Sequence, residues 1–197
     1  MLSDLFKLKP QREYLLWKGL LRRAVTASDA AYEWGKGSAG FLSVIDPGKP
    51  EETRLGKVIT LPAALYSVWG HQVTYIAQLE LLAVLVALVE MAGLFRGANT
   101  IWFIDNVAAL MALVRGSSNS RSLDQMAKLV HLACFAIRSV PYFEYVESKS
   151  NWADEISRKG TQGNWAPANA FSVDKCGIAA ELLTLPSLAV IKIFEYL

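Results

Sequence analysis

Thr100-Ile101-Trp102-Phe103-Ile104-Asp105-Asn106 is the stretch on which the fold turns. Five residues of mostly β-branched and aromatic character form a run that marks a buried strand. A carboxylate and an amide then end it abruptly. Immediately before it, Ile76–Phe95 is the most apolar part of the chain, rich in Leu and Ala and closed by Gly93 and Gly97, and it reads as one helix. Glu80 and Glu90 interrupt that segment, so it reads as a core helix and not as a membrane span.

Working outward, Ala24–Trp34 mixes small, β-branched and aromatic residues around Asp29 and reads as a strand. Gly35-Lys36-Gly37 turns the chain into the apolar run Gly40–Ile45, Asp46-Pro47-Gly48 is a second turn, and Lys57–Leu61 is a third strand. Residues 24–61 therefore form an antiparallel meander, and Pro62–Thr74 has no regular pattern. After the central strand, Val107–Val114 is a short helix stopped by Gly116. A longer helix runs to about Arg138, with Ser122 or Asp124 as its cap. Pro141–Glu147 supplies a fifth strand, and Ser150 or Asn151 caps a last helix through Arg158. The order β-β-β-α-β-α-α-β-α implies an α/β domain. Its five-stranded mixed sheet, three antiparallel strands followed by two parallel ones, is covered by helices. Ala179–Leu185 and Ser187–Tyr196 read as further helix or strand packed on it.

With 197 residues the chain suits one domain with short extensions: 1–23 as a basic helical extension or tether, 24–160 as the domain, and 161–197 as a C-terminal extension. A hydrophobic share of 53% supports a sizeable core and argues against disorder. The net charge of +2 gives no general mandate for binding a polyanion, so any such role must rest on local features. Cys134 and Cys176 lack metal-ligand spacing and read as reduced core thiols of an intracellular protein. Residues 1–23 lack a secretory pattern, and Asp4 and Glu13 count against an organelle-targeting peptide. His71 and His131 read as structural, Arg115, Arg121, Lys128 and Arg138 as a solvated face, and the six tryptophans mainly as core.

Four acids stand out from this background: Asp29, Glu80, Asp105 and Asp154, each among apolar or small neighbours. A bare carboxylate is costly to bury, and several close together repel unless cations lie between them. Hard oxygen donors suit Mg²⁺ or Mn²⁺. Two such ions about 4 Å apart activate water and stabilise a departing oxygen in phosphodiester cleavage.

The pieces Ser28-Asp29-Ala30, Glu80-Leu81-Leu82-Ala83, Asp105-Asn106 with Ala108-Ala109, and Val146–Asp154 with Ser157-Arg158 resemble the ribonuclease H domain of retroelement reverse transcriptases. The resemblance covers roughly Ala24–Arg158. It implies the RNase H-like fold and cleavage of the RNA strand of an RNA–DNA hybrid. It also implies two Mg²⁺ ions, with Mn²⁺ as a substitute, held by Asp29, Glu80, Asp105 and Asp154. Asn106, Lys149 and Asn151 are the candidate substrate contacts, Asn106 either orienting Asp105 or touching the substrate. The expected partners are a hybrid nucleic acid and a reverse-transcriptase or other polyprotein domain, with no membrane. The loop Glu147-Ser148-Lys149-Ser150 lacks the histidine of many cellular members, and no basic substrate-binding protrusion is present. Other readings are a DNA-cutting transposase or resolvase relative, and an RNase H-like subunit that binds nucleic acid or protein with little or no cleavage.

Overall fold

The computed structural model describes residues 22–69 and 73–178. The extension 1–23 falls almost wholly outside them, as do His71 and the segments Ala179–Leu185 and Ser187–Tyr196. Strands β1 (Arg23–Glu33), β2 (Lys36–Ile45) and β3 (Thr53–Ile59) form the expected antiparallel meander. The turn between β1 and β2 is Trp34-Gly35, both with positive φ (54° and 75°), the twist that a two-residue hairpin needs. Trp34 is 98% exposed there, against the expectation of a core tryptophan.

Among the described residues, six α-helices and two strands follow as far as Lys159. They are α1 (Leu65–Trp69), α2 (Ile76–Glu90), α3 (Ala92–Phe95), β4 (Asn99–Ile104), α4 (Val107–Arg115), α5 (Arg121–Ala136), β5 (Val140–Tyr145) and α6 (Asp154–Lys159). The segment read as irregular thus contains α1. The single helix read over Ile76–Phe95 breaks at Met91, whose backbone N–H turns back to the Ala87 carbonyl. Helix α5 starts after Ser120, not at Ser122 or Asp124. Asp124 instead accepts the Ser118 N–H and the Lys128 ammonium.

The sheet has six strands in the order β5-β4-β1-β2-β3-β6, so the five-stranded expectation falls one short. The sixth, β6 (Ser172–Cys176), follows the short helix α7 (Trp165–Ala168) and pairs in parallel with β3, whose outer edge would otherwise be open. As expected, β4 lies parallel between β1 and β5.

Helix α2 lies at the centre of the molecule. Every residue from Gln78 to Leu88 is buried, so the helix is apolar all round and needs cover on every side. It packs on β1 and β2 and is flanked by α5 and α4. The main core joins α2 to Phe41, Phe95, Trp102, Ile104 and the inner faces of α4 and α5. On the opposite sheet face a smaller core gathers Ala27, Leu42, Val44, Ala153, Ile156, Ala166 and Phe171 beneath α6 and α7. Cys134 and Cys176 are buried and form no disulfide, and burial pushes their thiols up to about 12 and about 11. Among the described residues no helix is long and apolar enough to cross a membrane.

Candidate metal centre

The parallel register of β1 and β4 creates the site. Ala27 stands opposite Phe103, so Asp29, two residues further along β1, comes level with Asp105, two residues beyond Phe103. The chain leaves the sheet at Asp105 because Asn106 caps α4, its Oδ1 accepting the Ala109 N–H at 3.1 Å. Glu80 reaches the same point from the second turn of α2. One carboxylate oxygen each from Asp29, Glu80 and Asp105 lie within 4.8 Å of one another. Three acids from three separate elements thus meet where β1 passes the carboxyl end of β4, where open α/β sheets collect ligands.

Burial sharpens the repulsion among them. Asp29 is 3% exposed and Glu80 1% exposed. Loss of water lifts the Asp29 carboxyl to about 7, helped by the charges of Asp105 and Asp154 and opposed by the Ser157 hydroxyl and Arg158. Burial, and then the charges of Asp29 and Asp105, hold Glu80 well above the usual carboxylate range. Glu80 Oε2 is buried without a hydrogen-bond partner. A buried carboxylate oxygen without a partner, on a residue grouped with two other acids, needs a proton, a water or a cation. The three-carboxylate donor set, with no nitrogen or sulfur, is compatible with a divalent metal ion.

Asp154 stands outside that group. Its side chain is 39% exposed, and its Oδ1 accepts from Arg158 Nε at 2.9 Å, one turn along α6. Arg158 also reaches Glu33 at 3.2 Å. The structure therefore brings together three of the four expected acids, with the fourth close enough for its charge to act on Asp29.

Helix α6 is nevertheless tied tightly to β1. Ser157, buried on its inner face, donates to Asp29 Oδ2 and also to the Asp154 carbonyl at 2.9 Å. Asn151 is buried with both ends of its amide engaged: Nδ2 donates to the Ser28 carbonyl at 3.0 Å, and Oδ1 accepts the Ala153 N–H at 3.1 Å. Ala153, not Ser150 or Asn151, is the residue that precedes the helix. Gly40, the β2 residue opposite Asp29, permits this close approach. A Cβ there would meet Ile156 Cδ1 at 2.9 Å and the Lys57 carbonyl at 3.0 Å. In the sequence Gly40 reads only as the start of a strand, and Ser157 only as part of the Ser157-Arg158 piece of the resemblance, without a role. The signal for the role of Ser157 is its place three residues after Asp154, one turn along the same helix.

Lys149 is exposed in the 3₁₀ turn Ser148–Ser150. It lines a surface cavity of about 360 Å³ shared with Asp154 and Trp165. His131 is structural, with Nε2 at 2.8 Å from the Leu113 carbonyl.

No protein-family model and no curated protein sequence matches the chain. Solved structures do. RNase H1 of the halophilic archaeon Halobacterium salinarum NRC-1 superposes with a TM-score of 0.51 at 17% identity, covering 71% of this chain and 98% of that one. The fold is that of ribonuclease H. LC11-RNase H1, isolated from compost by a metagenomic approach, gives a TM-score of 0.52 at 14% identity, covering 71% and 96%. The same LC11 enzyme in complex with an RNA/DNA hybrid gives 0.50 at 14% identity, again covering 71% and 96%. Strand β6 and the 161–178 segment lie beyond the stretch Ala24–Arg158 that carries the sequence resemblance.

Proposed function

We propose that the chain is a divalent-metal-dependent endoribonuclease that hydrolyses the RNA strand of RNA–DNA hybrids, of the type carried by retroelement reverse transcriptases. The observation that carries this reading is the meeting of Asp29, Glu80 and Asp105, two of them nearly inaccessible, beside the carboxyl end of β4. In the proposal Asp29, Glu80, Asp105 and Asp154 hold two Mg²⁺ ions, with Mn²⁺ able to replace them. Bound there, the ions would supply an activated water and stabilisation of the leaving 3′ oxygen. Ser157 fixes the Asp29 carboxylate, and Asn106 sets the position of Asp105 by capping α4. Asn151 holds the start of α6 against β1, and Lys149 meets a phosphate of the substrate. Hybrids are recognised through backbone shape and 2′-hydroxyls with little sequence preference. The near-neutral charge of the chain and the lack of a basic protrusion fit a domain whose grip on substrate is shared with a reverse-transcriptase or other polyprotein domain.

A second reading has one observation in its favour. Arg158 engages Asp154, which suits a hybrid-binding domain with weak hydrolysis. Incubation of the protein with labelled RNA–DNA hybrid, single-stranded RNA and duplex DNA, in Mg²⁺ or Mn²⁺, separates the two. The nuclease reading expects cuts in the RNA of the hybrid alone. Binding without cuts in either metal supports the second.

A further inference from the structure

The surface cavity is lined by Asp154, with which Arg158 pairs, and otherwise by residues outside the Asp29–Glu80–Asp105 group. One wall is the 3₁₀ turn with Ser148, Lys149 and Ser150, which presents an exposed ammonium and two exposed hydroxyls. Glu155 and Trp165 also line the cavity, Trp165 coming from the segment that follows α6.

Trp165 is 38% exposed, yet it is anchored from several sides. Its ring leans on Phe171 at a centroid separation of 6.0 Å and an interplanar angle of 31°. The Arg54 guanidinium lies 5.9 Å from the Phe171 centroid and donates to the Asn169 carbonyl at 3.0 Å. Asn169 Nδ2 donates to the Trp165 carbonyl at 2.8 Å, and the Trp165 N–H donates to Glu155 Oε2 at 2.5 Å. Phe171 and Ala166 are buried in the smaller core, so the segment that carries the indole is a packed part of the domain. Glu155 is also paired with Lys159 at 3.0 Å, which blunts its repulsion of an incoming anion.

We propose that this cavity is a subsite for one unstacked nucleotide of the substrate, with its phosphate on Lys149 and its base on Trp165. The inference rests on the nuclease reading of the adjoining acids and adds a preference within it. A simple anion would have no use for an anchored indole, and an apolar ligand none for an ammonium and two hydroxyls. A nucleotide uses both, since every base offers a π-face and every phosphate a charge. Bases inside a duplex hide their faces from such a platform. The subsite therefore favours hybrids with an unpaired nucleotide at an end or a junction.

The test measures binding of the full chain, in chelator, to fluorescein-labelled RNA–DNA hybrids. One hybrid is blunt, and two carry a single unpaired nucleotide at either end of the RNA strand. Wild type is expected to bind one overhanging hybrid about fivefold or more tighter than the blunt one, the lower range of base–aromatic stacking. Trp165→Ala should erase that preference, and Trp165→Phe should keep most of it. Lys149→Gln, at an exposed position where folding is not at stake, should reduce it. Equal binding of blunt and overhanging hybrids by wild type overturns the subsite, as does a preference that survives both Trp165→Ala and Lys149→Gln. An overhang preference without cleavage of any hybrid in Mg²⁺ or Mn²⁺ upholds the subsite and sinks the nuclease reading instead.

Discussion

In the proposed function Asp29 links stability, pH and metal binding. Its carboxyl lies near 3.8 in an unfolded chain and about 7 in the folded protein, mainly through burial. The folded state without metal therefore holds this proton more tightly than the unfolded state does. The neutral acid's advantage is complete below about pH 4 and disappears as pH rises toward 7. At 1.4 kcal/mol per tenfold change, the full effect is about 4 kcal/mol, of which roughly 2–3 kcal/mol falls between pH 5 and pH 8. For a chain of this length that corresponds to a melting shift of roughly 5–10 °C. Glu80, also raised by burial, acts in the same direction. The assay is thermal unfolding of wild type and Asp29→Asn in chelator from pH 5 to pH 8, repeated with Mg²⁺. The gap between the two proteins should move by about 2 kcal/mol in favour of the variant as pH rises. Mg²⁺ at a hundredfold excess over its Kd should return roughly 2.7 kcal/mol to wild type at pH 8 and far less to the variant. Parallel pH profiles in chelator would refute the claim that the buried Asp29 charge strains the metal-free fold.

Three further substitutions test the supports of the site. Ser157→Ala removes the donor to a buried carboxylate and should cost about 1–3 kcal/mol in denaturant unfolding. It should also move the metal-dependence profile to higher pH, because a group that favours the Asp29 anion is lost. Gly40→Val places carbon against Ile156 and the Lys57 carbonyl and should cost about 1–3 kcal/mol by pushing α6 from the sheet. Calorimetry of Mg²⁺ binding should also show weakened affinity, and unchanged affinity would mean that α6 has no part in the site. Arg158→Gln releases Asp154 from a half-exposed pair, so stability should change by less than about 1 kcal/mol. Metal affinity should rise severalfold, and a fall would show that Arg158 supports the site and does not compete for it.

The features legible in the sequence were those set by local pattern. The apolar run 100–104 followed by Asp105 gave a central strand with a ligand end, and the turns at Gly35 and Asp46 gave the meander. A strand after a helical crossover pairs in parallel with the first, and that pairing sets Asp29 beside Asp105. Strand β6 was not legible. Ser172-Val173-Asp174-Lys175-Cys176 has no strong alternation, and it is a strand because β3 offers an unpaired edge. Helix α2 reads as continuous through Phe95, because Leu94 and Phe95 extend the apolar run past Gly93, the signal that lies nearest the break at Met91. In the site, residue type announced the acids, and the i,i+4 spacing of Asp154 and Arg158 allowed their ion pair, but the partner of Asp29 stayed hidden. Asp154 has the same chemistry as the other three, and only the helical turn that brings Arg158 to it separates it from the buried group. Ser157 and Gly40 matter through a packing distance between α6 and the sheet, which a linear sequence does not encode.

The central claim, that Asp29, Glu80 and Asp105 form a metal site that cuts the RNA of a hybrid, is tested most directly by one comparison. Wild type and Asp105→Asn are incubated with end-labelled RNA–DNA hybrid in Mg²⁺ and in Mn²⁺, and the initial cleavage rates are measured. The account predicts internal cuts confined to the RNA strand by wild type, abolished by chelator and reduced by about a hundredfold or more in the variant, as expected when a charge that holds the metal is lost. Cleavage that proceeds equally in the variant, or no hybrid cleavage by wild type in either metal, would contradict it.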